Sequence, residues 1–299
     1  MRTERRRQLT GLAFCLPWLI GLAVFMVYPM ASALVYSFCD YSVLLPPVGV
    51  GLDNYADLLA DALFWKSLGN TVYYAAGAVG LGLLTSLVLA LLLNCRVRGQ
   101  ALYRTIFFLP SLVPIVAASI LWMWMYKGQG GIINTVLESL GIDGPAWLGN
   151  PAYAKPALIL MAVWASGHAM VIFLAGLQDV PVQLHEAAYV DGATWWHRLV
   201  HITLPMITPV IYFNLIMGII ASLQVFTQAF IMTGGAPGAG APGGPERSLL
   251  FYVLRLHNVA FQDLRMGYAC AMAWILFVII LALTLLMHRL SKRWVTYER

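Results

Sequence analysis

Long stretches without charged residues recur along the chain and are its strongest structural signal. A helix needs about 20 apolar residues to cross the roughly 30 Å hydrocarbon core of a membrane. Six stretches without Asp, Glu, Lys or Arg reach that length: Gln8 to Cys39, Ser67 to Cys95, Thr105 to Tyr126, Pro156 to Gln178, Leu199 to Pro245 and Met266 to His288. Because an unpaired backbone amide in lipid costs several kcal/mol, each must cross as a helix rather than as an open strand.

The fifth stretch ends in a segment that does not fit a spanning helix. Residues 234–245 are all Gly, Ala or Pro, which is typical of a flexible loop. We therefore predict an all-α polytopic membrane protein with six transmembrane helices, in which residues 1–299 form a single transmembrane domain. The predicted spans are approximately 11–38, 70–93, 105–126, 156–177, 204–232 and 266–288.

Composition agrees with this pattern and excludes an ordinary soluble domain. The chain is 61% hydrophobic and 10% charged, whereas soluble domains average about 25% charged residues. If the amino terminus is cytoplasmic, twelve of the 18 Lys and Arg residues fall in cytoplasmic segments. Basic residues collect on that side, so we predict that both termini are cytoplasmic.

The same charges argue against a nucleic-acid partner. The net charge of +5 is explained by basic residues at the cytoplasmic surface, where anionic lipid headgroups are their natural partners. The small residues Ala31, Ser32 and Ala33 leave open a cleaved secretory signal, but the apolar run before them is far longer than the usual signal core of about 7 to 15 residues. We expect an uncleaved membrane anchor helix.

The segments between the predicted spans differ in character. Asp40 to Lys66 suits a short helix at the outer interface, and Gly128 to Ala154 is rich in Gly, Pro and Asn and is expected to be irregular, with Trp147 as an interface anchor. The cytoplasmic loop 179–203 is much longer than the roughly 2 to 8 residues that a helix connection needs. Its length indicates a function of its own.

This cytoplasmic loop has the signals of a helix-turn-helix. Pro181 is suited to the start of a first helix, Asp191 and Gly192 to a turn, and Thr194 to the cap of a second helix. Pro205 then opens the fifth predicted span. We therefore predict two short helices lying across the cytoplasmic face.

The loop resembles the signature loop of the permease subunits of ABC importers, which reads E-A-A, two residues, D-G-A, then I-x-L-P. The matching residues are Glu186, Ala187, Ala188, Asp191, Gly192, Ala193, Ile202, Leu204 and Pro205. Leu199 stands where the family often has Phe, which keeps an apolar side chain there. The resemblance implies the type I permease fold of ABC importers and a loop that couples the helices to an ATPase.

Weaker matches extend over nearly the whole chain and resemble the sugar-import branch of the family, the maltose and glycerol-phosphate type. The segments are Leu16-Pro17, Phe25, Tyr28-Pro29, Gly51 to Tyr55, Leu68 to Thr71, Met232 to Gly235, Gly267 to Ala269 and Ala271 to Trp274. Their order and spacing imply a carbohydrate cargo, with glycerol-phosphate or another small polar solute as the alternative.

The resemblance also implies the partners. Such a permease pairs with two ATPase subunits and with a second permease subunit, which is expected to be a related but different chain. An extracytoplasmic solute-binding protein delivers the sugar. No Gly-Lys pair occurs in the chain, so a phosphate-binding P-loop is missing. We therefore expect no cofactor and no catalytic residue here, with ATP and Mg²⁺ bound by the partner ATPase.

Cargo must be handled by uncharged groups, since the predicted spans contain no Asp, Glu, Lys or Arg. Amides, hydroxyls and aromatic rings complement the hydroxyls and apolar ring faces of sugars. The candidates that line the cargo path are Trp164, Ser166 and His168 in span four and Ser222, Gln224 and Gln228 in span five. Alternatively, these side chains hydrogen-bond between helices and stabilise the bundle.

Other functional classes fit less well. A secondary transporter usually carries charged relay residues within its spans, and these are missing here. A membrane-embedded enzyme needs a nucleophile with its base or a metal constellation, and neither is evident. His197 and His201 stand four residues apart without a third ligand nearby, and no C-x-x-C pair occurs, so we expect no metal site.

Overall fold

The computed structural model describes residues 2–95, 98–235 and 243–295. These residues are mostly helical, which confirms the predicted class. The helices are α1 (Arg2–Leu22), α2 (Tyr28–Tyr36), α3 (Asp53–Ala60), α4 (Ala62–Asn94), α5 (Gln100–Leu112), α6 (Ile115–Met125), α7 (Ile132–Ser139), α8 (Pro151–Trp164), α9 (Gly167–Gln178), α10 (Val182–Val190), α11 (Trp195–Arg198), α12 (Leu204–Met206), α13 (Thr208–Leu223), α14 (Thr227–Phe230), α15 (Tyr252–Phe261) and α16 (Met266–Ser291).

Shorter elements join some of these helices. π-helical turns follow α1, α11 and α14 at Ala23–Val27, Leu199–Thr203 and Ile231–Gly235. A 3₁₀ turn spans Pro245–Arg247. Gly234 and Gly235 therefore extend a helical turn, whereas the sequence predicted that they begin a loop. Residues 236–242 of that predicted loop lie outside the described residues.

Four helical segments are each long and apolar enough to cross a membrane: Thr10–Tyr36, Ala62–Asn94, Thr208–Thr233 and Met266–Ser291. Two further candidates are bent helix pairs, α5 with α6 and α8 with α9, whose axes differ by 95° and 46°. If each bent pair crosses once, the described residues contain six spans. The sequence predicted spans at these two places but neither of the bends.

The bend between α5 and α6 has a local cause. Val113 is extended, with φ −70° and ψ 127°, and it precedes Pro114. A residue before proline is pushed out of the helical region by the proline ring, and proline itself has no N–H to donate. The helix therefore ends before Pro114 and restarts in a new direction at Ile115.

The described chain falls into two compact units. The first contains the described residues of Met1–Ala62 together with Leu256–Ile279. It includes a two-stranded antiparallel hairpin of β1 (Cys39–Ser42) and β2 (Leu45–Gly49). The sequence predicted a short helix in this region, which α3 confirms, but not the hairpin. The two prolines of β2 argued against a strand in the sequence, because proline is tolerated only in edge strands such as these.

Polar contacts tie the elements of the first unit together. The Asn54 amide nitrogen donates to the carbonyl oxygens of Ser37 and Cys39 at 3.0 and 2.9 Å, which joins α3 to the start of the hairpin. Arg265 pairs with Asp57 at 3.2 Å, and the Tyr268 hydroxyl donates to Asp61 at 3.1 Å. The beginning of α16 is thereby fixed beside α3.

The second unit contains Leu63–Arg255 and the described residues of Ile280–Arg299. One buried cluster in it is rich in aromatic residues and includes Tyr74, Trp122, Tyr126 and Phe251. A second cluster is mainly aliphatic and includes Phe173, Leu174 and Ile207. The Tyr126 hydroxyl donates to the Ala157 carbonyl at 2.7 Å, so that burying this tyrosine leaves no unpaired hydroxyl.

The segment 128–154 is more ordered than the sequence suggested. Helix α7 lies within it, and Asn134 binds the carbonyl oxygens of Gly128 and Pro145 at 3.0 and 3.2 Å. The Trp147 ring nitrogen donates to the Asn134 side chain at 2.7 Å, and the Trp147 ring packs on Tyr126. The expectation of an irregular segment was therefore wrong for Ile132–Ser139, because one buried amide organises it.

Close packing of α9 against α5 depends on Gly167. A Cβ atom added there would collide with the Phe107 carbonyl oxygen and lie 3.0 Å from the Phe108 Cα. We expect Gly167→Ala to lower the stability of the protein by about 1 to 3 kcal/mol, the usual cost of overpacking. Gly80→Ala is the control, because its Cβ would meet nothing within 4 Å. Thermal unfolding midpoints in detergent check this, and equal midpoints for the two variants would contradict the packing.

Candidate functional site

The second unit contains an open cavity of about 440 Å³ among α4, α8, α9, α13 and α14. Its lining contains no Asp, Glu, Lys or Arg. The side chains with polar atoms in the lining are Tyr74, Ser86, Ser166, His168, Asn214, Ser222, Gln224, Thr227 and Gln228. The remaining lining is Gly, Ala, Val, Leu and Met together with Phe226. An apolar wall with a few convergent polar groups is the usual character of a small-molecule site.

The cavity lies where two helices are interrupted. Helix α13 ends at Leu223, and Phe226 has the non-helical angles φ −141° and ψ −61° before α14 begins. Residues 224–228 all line the cavity, and so do Ala165 and Ser166 at the bend between α8 and α9. Non-helical backbone at membrane depth is tolerated only where it lines a cavity or is buried in protein. Interrupted helices of this kind often mark the binding site of a transporter.

Five of the six predicted cargo-path residues meet at this cavity, namely Ser166, His168, Ser222, Gln224 and Gln228. Trp164 does not line it. Trp164 lines a neighbouring cavity of about 280 Å³, and its ring packs edge-on against Trp122 at 5.7 Å between centroids. His168 and Gln228 line both cavities. The bend at Val113 borders the neighbouring cavity, so the bends between α5 and α6 and between α8 and α9 and the break between α13 and α14 each border one cavity or the other.

Some polar lining residues already have partners in the protein. Ser86 donates across to the Ser166 carbonyl oxygen at 3.1 Å, and Ser222 and Asn214 donate to carbonyls of their own helix. These hydrogen bonds match the alternative in which polar groups stabilise the bundle. In the described part of the chain, the side chains of His168, Gln224 and Gln228 make no such bond. Their donors and acceptors are therefore free for a molecule in the cavity.

Tyr74, Ser86 and Asn214 line the cavity, although the sequence did not single them out. Ser86 and Asn214 are polar residues inside predicted spans, which is the signal that pointed to the other candidates. Tyr74 gave no distinct signal, because aromatic residues are common throughout the spans. The packing of α4 beside the break in the fifth span brings Tyr74 and Ser86 to the cavity, and Asn214 reaches it from α13.

The predicted helix-turn-helix at residues 179–203 is confirmed. Helix α10 is followed by a turn in which Gly192 has φ +76°. The Ala193 N–H donates to the Ala188 carbonyl at 2.9 Å and the Gly192 N–H to that of Tyr189 at 3.1 Å. This is the Schellman motif, a helix stop that requires a left-handed residue and therefore favours glycine.

The second helix of this hairpin starts as predicted but continues further. The Thr194 hydroxyl accepts from the His197 N–H at 3.4 Å and thereby caps α11. Helical structure then runs through Leu199–Thr203 into α12, which contains Leu204 and Pro205. The sequence predicted that Pro205 opens the fifth span, but Ile207 is non-helical and the spanning segment starts at Thr208. Pro205 therefore lies in the first turn of α12 without a break before it, a position where proline is tolerated.

The hairpin presents an exposed surface of mixed character. Glu186, Ala187 and Asp191 are exposed, and Ala188 and Ala193 are partly exposed. Beside them lie the large apolar side chains of Tyr189, Val190, Trp195 and Trp196, which are 58% to 85% exposed. Exposed apolar groups with polar neighbours are typical of surfaces that contact another protein or a membrane. Leu204 differs, since it packs on the aliphatic cluster.

Comparison with known proteins agrees with this architecture. Residues 54–296 match the family model described as binding-protein-dependent transport system inner membrane component. The chain is 42% identical over 300 residues to the probable ABC transporter permease protein YesP of Bacillus subtilis, covering 99% of this chain and 95% of that protein. It is 33% identical to the lactose transport system permease protein LacF of Rhizobium radiobacter, covering 95% and 94%.

A solved structure has the same fold. One chain of a bacterial ABC transporter involved in the import of the acidic polysaccharide alginate superposes with a TM-score of 0.84 at 24% identity, covering 97% of this chain and 98% of that one. The protein therefore belongs to the family of binding-protein-dependent transport system inner membrane components. It is an ABC importer permease with the type I fold, and its location is the inner membrane.

Proposed function

We propose that this permease moves a carbohydrate, a mono- or oligosaccharide, through the cavity formed at the breaks in its fourth and fifth spans. The observation that carries the proposal is the lining, which combines amide, hydroxyl and aromatic side chains without a single Asp, Glu, Lys or Arg. A sugar presents many hydroxyl groups together with apolar ring faces. Uncharged hydrogen-bonding groups beside the Phe226 and Tyr74 rings complement both features.

The relatives support the same class of cargo. One of them, at 33% identity over nearly its full length, is a lactose transport system permease. Glycerol-phosphate is the weaker alternative, since a phosphate is usually held by Arg or Lys and neither lines the cavity. A secondary transporter is disfavoured because the cavity contains no carboxylate or lysine for proton relay.

The hairpin of α10 and α11 is the proposed docking point for an ATPase subunit. Its exposed face combines the small side chains Ala187 and Ala188, which allow close approach, with a rigid turn at Gly192. Glu186 and Asp191 are exposed carboxylates beside this face, suited to pairing with a partner. Ala193, Leu204 and Pro205 would transmit movement from the turn to the start of the fifth span.

The transport cycle needs further subunits. We propose that ATP and Mg²⁺ bind to two partner ATPase subunits, that a second permease subunit completes the pathway, and that an extracytoplasmic solute-binding protein delivers the sugar. This chain would then have no cofactor and no catalytic residue. ATP can drive the switch only if it binds the two conformations of the assembly with different affinity. The hairpin is the part of this chain through which that difference would act.

The cargo assignment predicts the effect of removing one free amide from the cavity. We expect Gln228→Ala to slow sugar uptake about two- to tenfold in the reconstituted transporter, because the hydrogen bond that is lost contributes about 0.5 to 1.5 kcal/mol. Gln129→Ala is the matched control, because Gln129 is exposed and does not line the cavity. Uptake of radiolabelled sugar at saturating binding protein measures both. Equal rates for the two variants would count against the cavity as the sugar path.

The docking proposal predicts that strain at the hairpin turn weakens the coupling of ATP hydrolysis to sugar uptake. Valine at position 192 would have to adopt φ +76°, which costs a side chain about 1 to 2 kcal/mol, although no atom lies within 4 Å of its Cβ. We expect Gly192→Val to reduce the number of sugar molecules taken up per ATP hydrolysed. Gly141→Val imposes the same strain at φ +77°, also in open space, at the end of α7. If both variants lower this ratio equally, the hairpin has no special role in coupling.

A further inference from the structure

Another polar cavity lies beside the hairpin of α10 and α11 and is separate from the proposed sugar path. It has a volume of about 240 Å³ and shares no lining residue with the larger cavity. Asn94, at the end of α4, His185, in α10, and Arg198, in α11, bring polar side chains to it from three helices. Its lining contains no carboxylate. The local charge of this cavity is therefore positive.

Arg198 lacks a counter-charge in the part of the chain that the structure describes. Its Nε atom is buried and has no hydrogen-bond partner among the described residues. The nearest favourable contact of its guanidinium group is the Tyr189 ring, at 5.8 Å from the ring centroid. Arg198 is partly exposed, but its buried Nε–H group has no acceptor within the described ranges, and an unpaired buried donor is costly. An anion in the cavity would offset that cost.

The other polar groups of the cavity are able to act as donors towards such an anion. In the described residues, the side chains of His185 and Asn94 make no hydrogen bond. The Thr203 hydroxyl is different, since it donates to the Arg198 carbonyl at 3.3 Å and so has its hydrogen engaged. The guanidinium, imidazole and amide groups together offer donors from three directions.

The space for an anion depends on the residue at position 199. Leu199 is 7% exposed and lines the cavity. A phenyl ring there would extend further than the leucine side chain and occupy part of the cavity. Leucine leaves this space open beside Arg198.

We propose that this cavity binds a phosphate group, either as a free phosphate or as the headgroup of an anionic phospholipid. Arginine presents N–H groups in a planar fork that matches phosphate oxygens. A tetrahedral phosphate directs oxygens towards donors on three helices at once, whereas a carboxylate places both of its oxygens in one plane. Phosphate therefore suits the convergence of α4, α10 and α11 on this cavity better.

Bound phosphate would connect α4, a spanning helix, with both helices of the hairpin. The binding itself does not depend on the proposed cargo or on the docking of an ATPase. Its consequence for transport does rest on the proposed function, since a ligand that stiffens the hairpin would alter coupling. The test therefore uses binding and not transport, so that a failure of one proposal is distinguishable from a failure of the other.

Thermal unfolding of the full-length purified chain in neutral detergent tests the free-phosphate source. We expect inorganic phosphate to raise the unfolding midpoint relative to chloride at equal ionic strength, because a ligand that binds only the folded state stabilises it. Arg198→Gln should weaken the apparent phosphate affinity at least about tenfold, because it removes at least one charge-assisted hydrogen bond. Leu199→Phe keeps the charge and should weaken binding by filling the cavity.

Arg293→Gln is the matched control, because Arg293 is exposed, lies beyond α16 and does not line the cavity. Its midpoint should respond to phosphate as the unaltered chain does. If Arg198→Gln and Leu199→Phe also respond like the unaltered chain, free phosphate binds elsewhere and is not the ligand of this cavity.

Nanodiscs distinguish the lipid source. The chain is placed in discs of phosphatidylcholine with or without phosphatidylglycerol, and lipids retained after release are counted by native mass spectrometry. Retention of phosphatidylglycerol by the unaltered chain and by Arg293→Gln, but not by Arg198→Gln or Leu199→Phe, identifies the headgroup as the ligand. The proposal is overturned if neither phosphate nor phosphatidylglycerol binding depends on Arg198 and Leu199.

Discussion

The structure is governed by the need to pair every backbone N–H and C=O group within a membrane. Continuous helices satisfy it at Ala62–Asn94 and for most of α16. Regular helical structure is interrupted at Val113, at Ala165 and Ser166, and at residues 224–226, and each interruption borders a cavity. An interruption that lines a cavity can be hydrated or can contact cargo, so these breaks are tolerated where they occur.

The absence of charge in the cavity lining determines what that space is suited to hold. A charged lining would favour an ion or a proton relay, whereas amides, hydroxyls and aromatic rings favour a neutral polar solute. We propose that the energy for uphill movement reaches the spans mechanically through the hairpin of α10 and α11, which has a Schellman turn at Gly192 and continuous helical structure from Trp195 to Met206.

Much of this architecture is predictable from local chemistry. The spans follow from runs without charge, and the hairpin follows from Pro181, Asp191-Gly192 and Thr194, because helix starts and stops depend on neighbouring residues. The interruption at Phe226 is different, since neither proline nor a left-handed glycine marks it and tertiary packing decides it. Trp164 shows the same limit: its position in the sequence suggested the cargo path, but packing against Trp122 turned it to the neighbouring cavity. The β-hairpin was not predicted, because the two prolines of β2 argue against a strand.

Solvent and sugar access at the break in the fifth span is the most direct test. The four native cysteines are replaced, and a single cysteine is introduced at Ala221, which lines the cavity, or at Gln129, which is exposed outside the spans and does not line the cavity. A water-soluble thiol reagent is then applied to membranes that contain the assembled transporter. We expect both cysteines to be labelled, and the transported sugar to slow the labelling at 221 but not that at 129. A cysteine at 221 that stays unlabelled, or whose labelling ignores the sugar, would contradict a sugar path at this break.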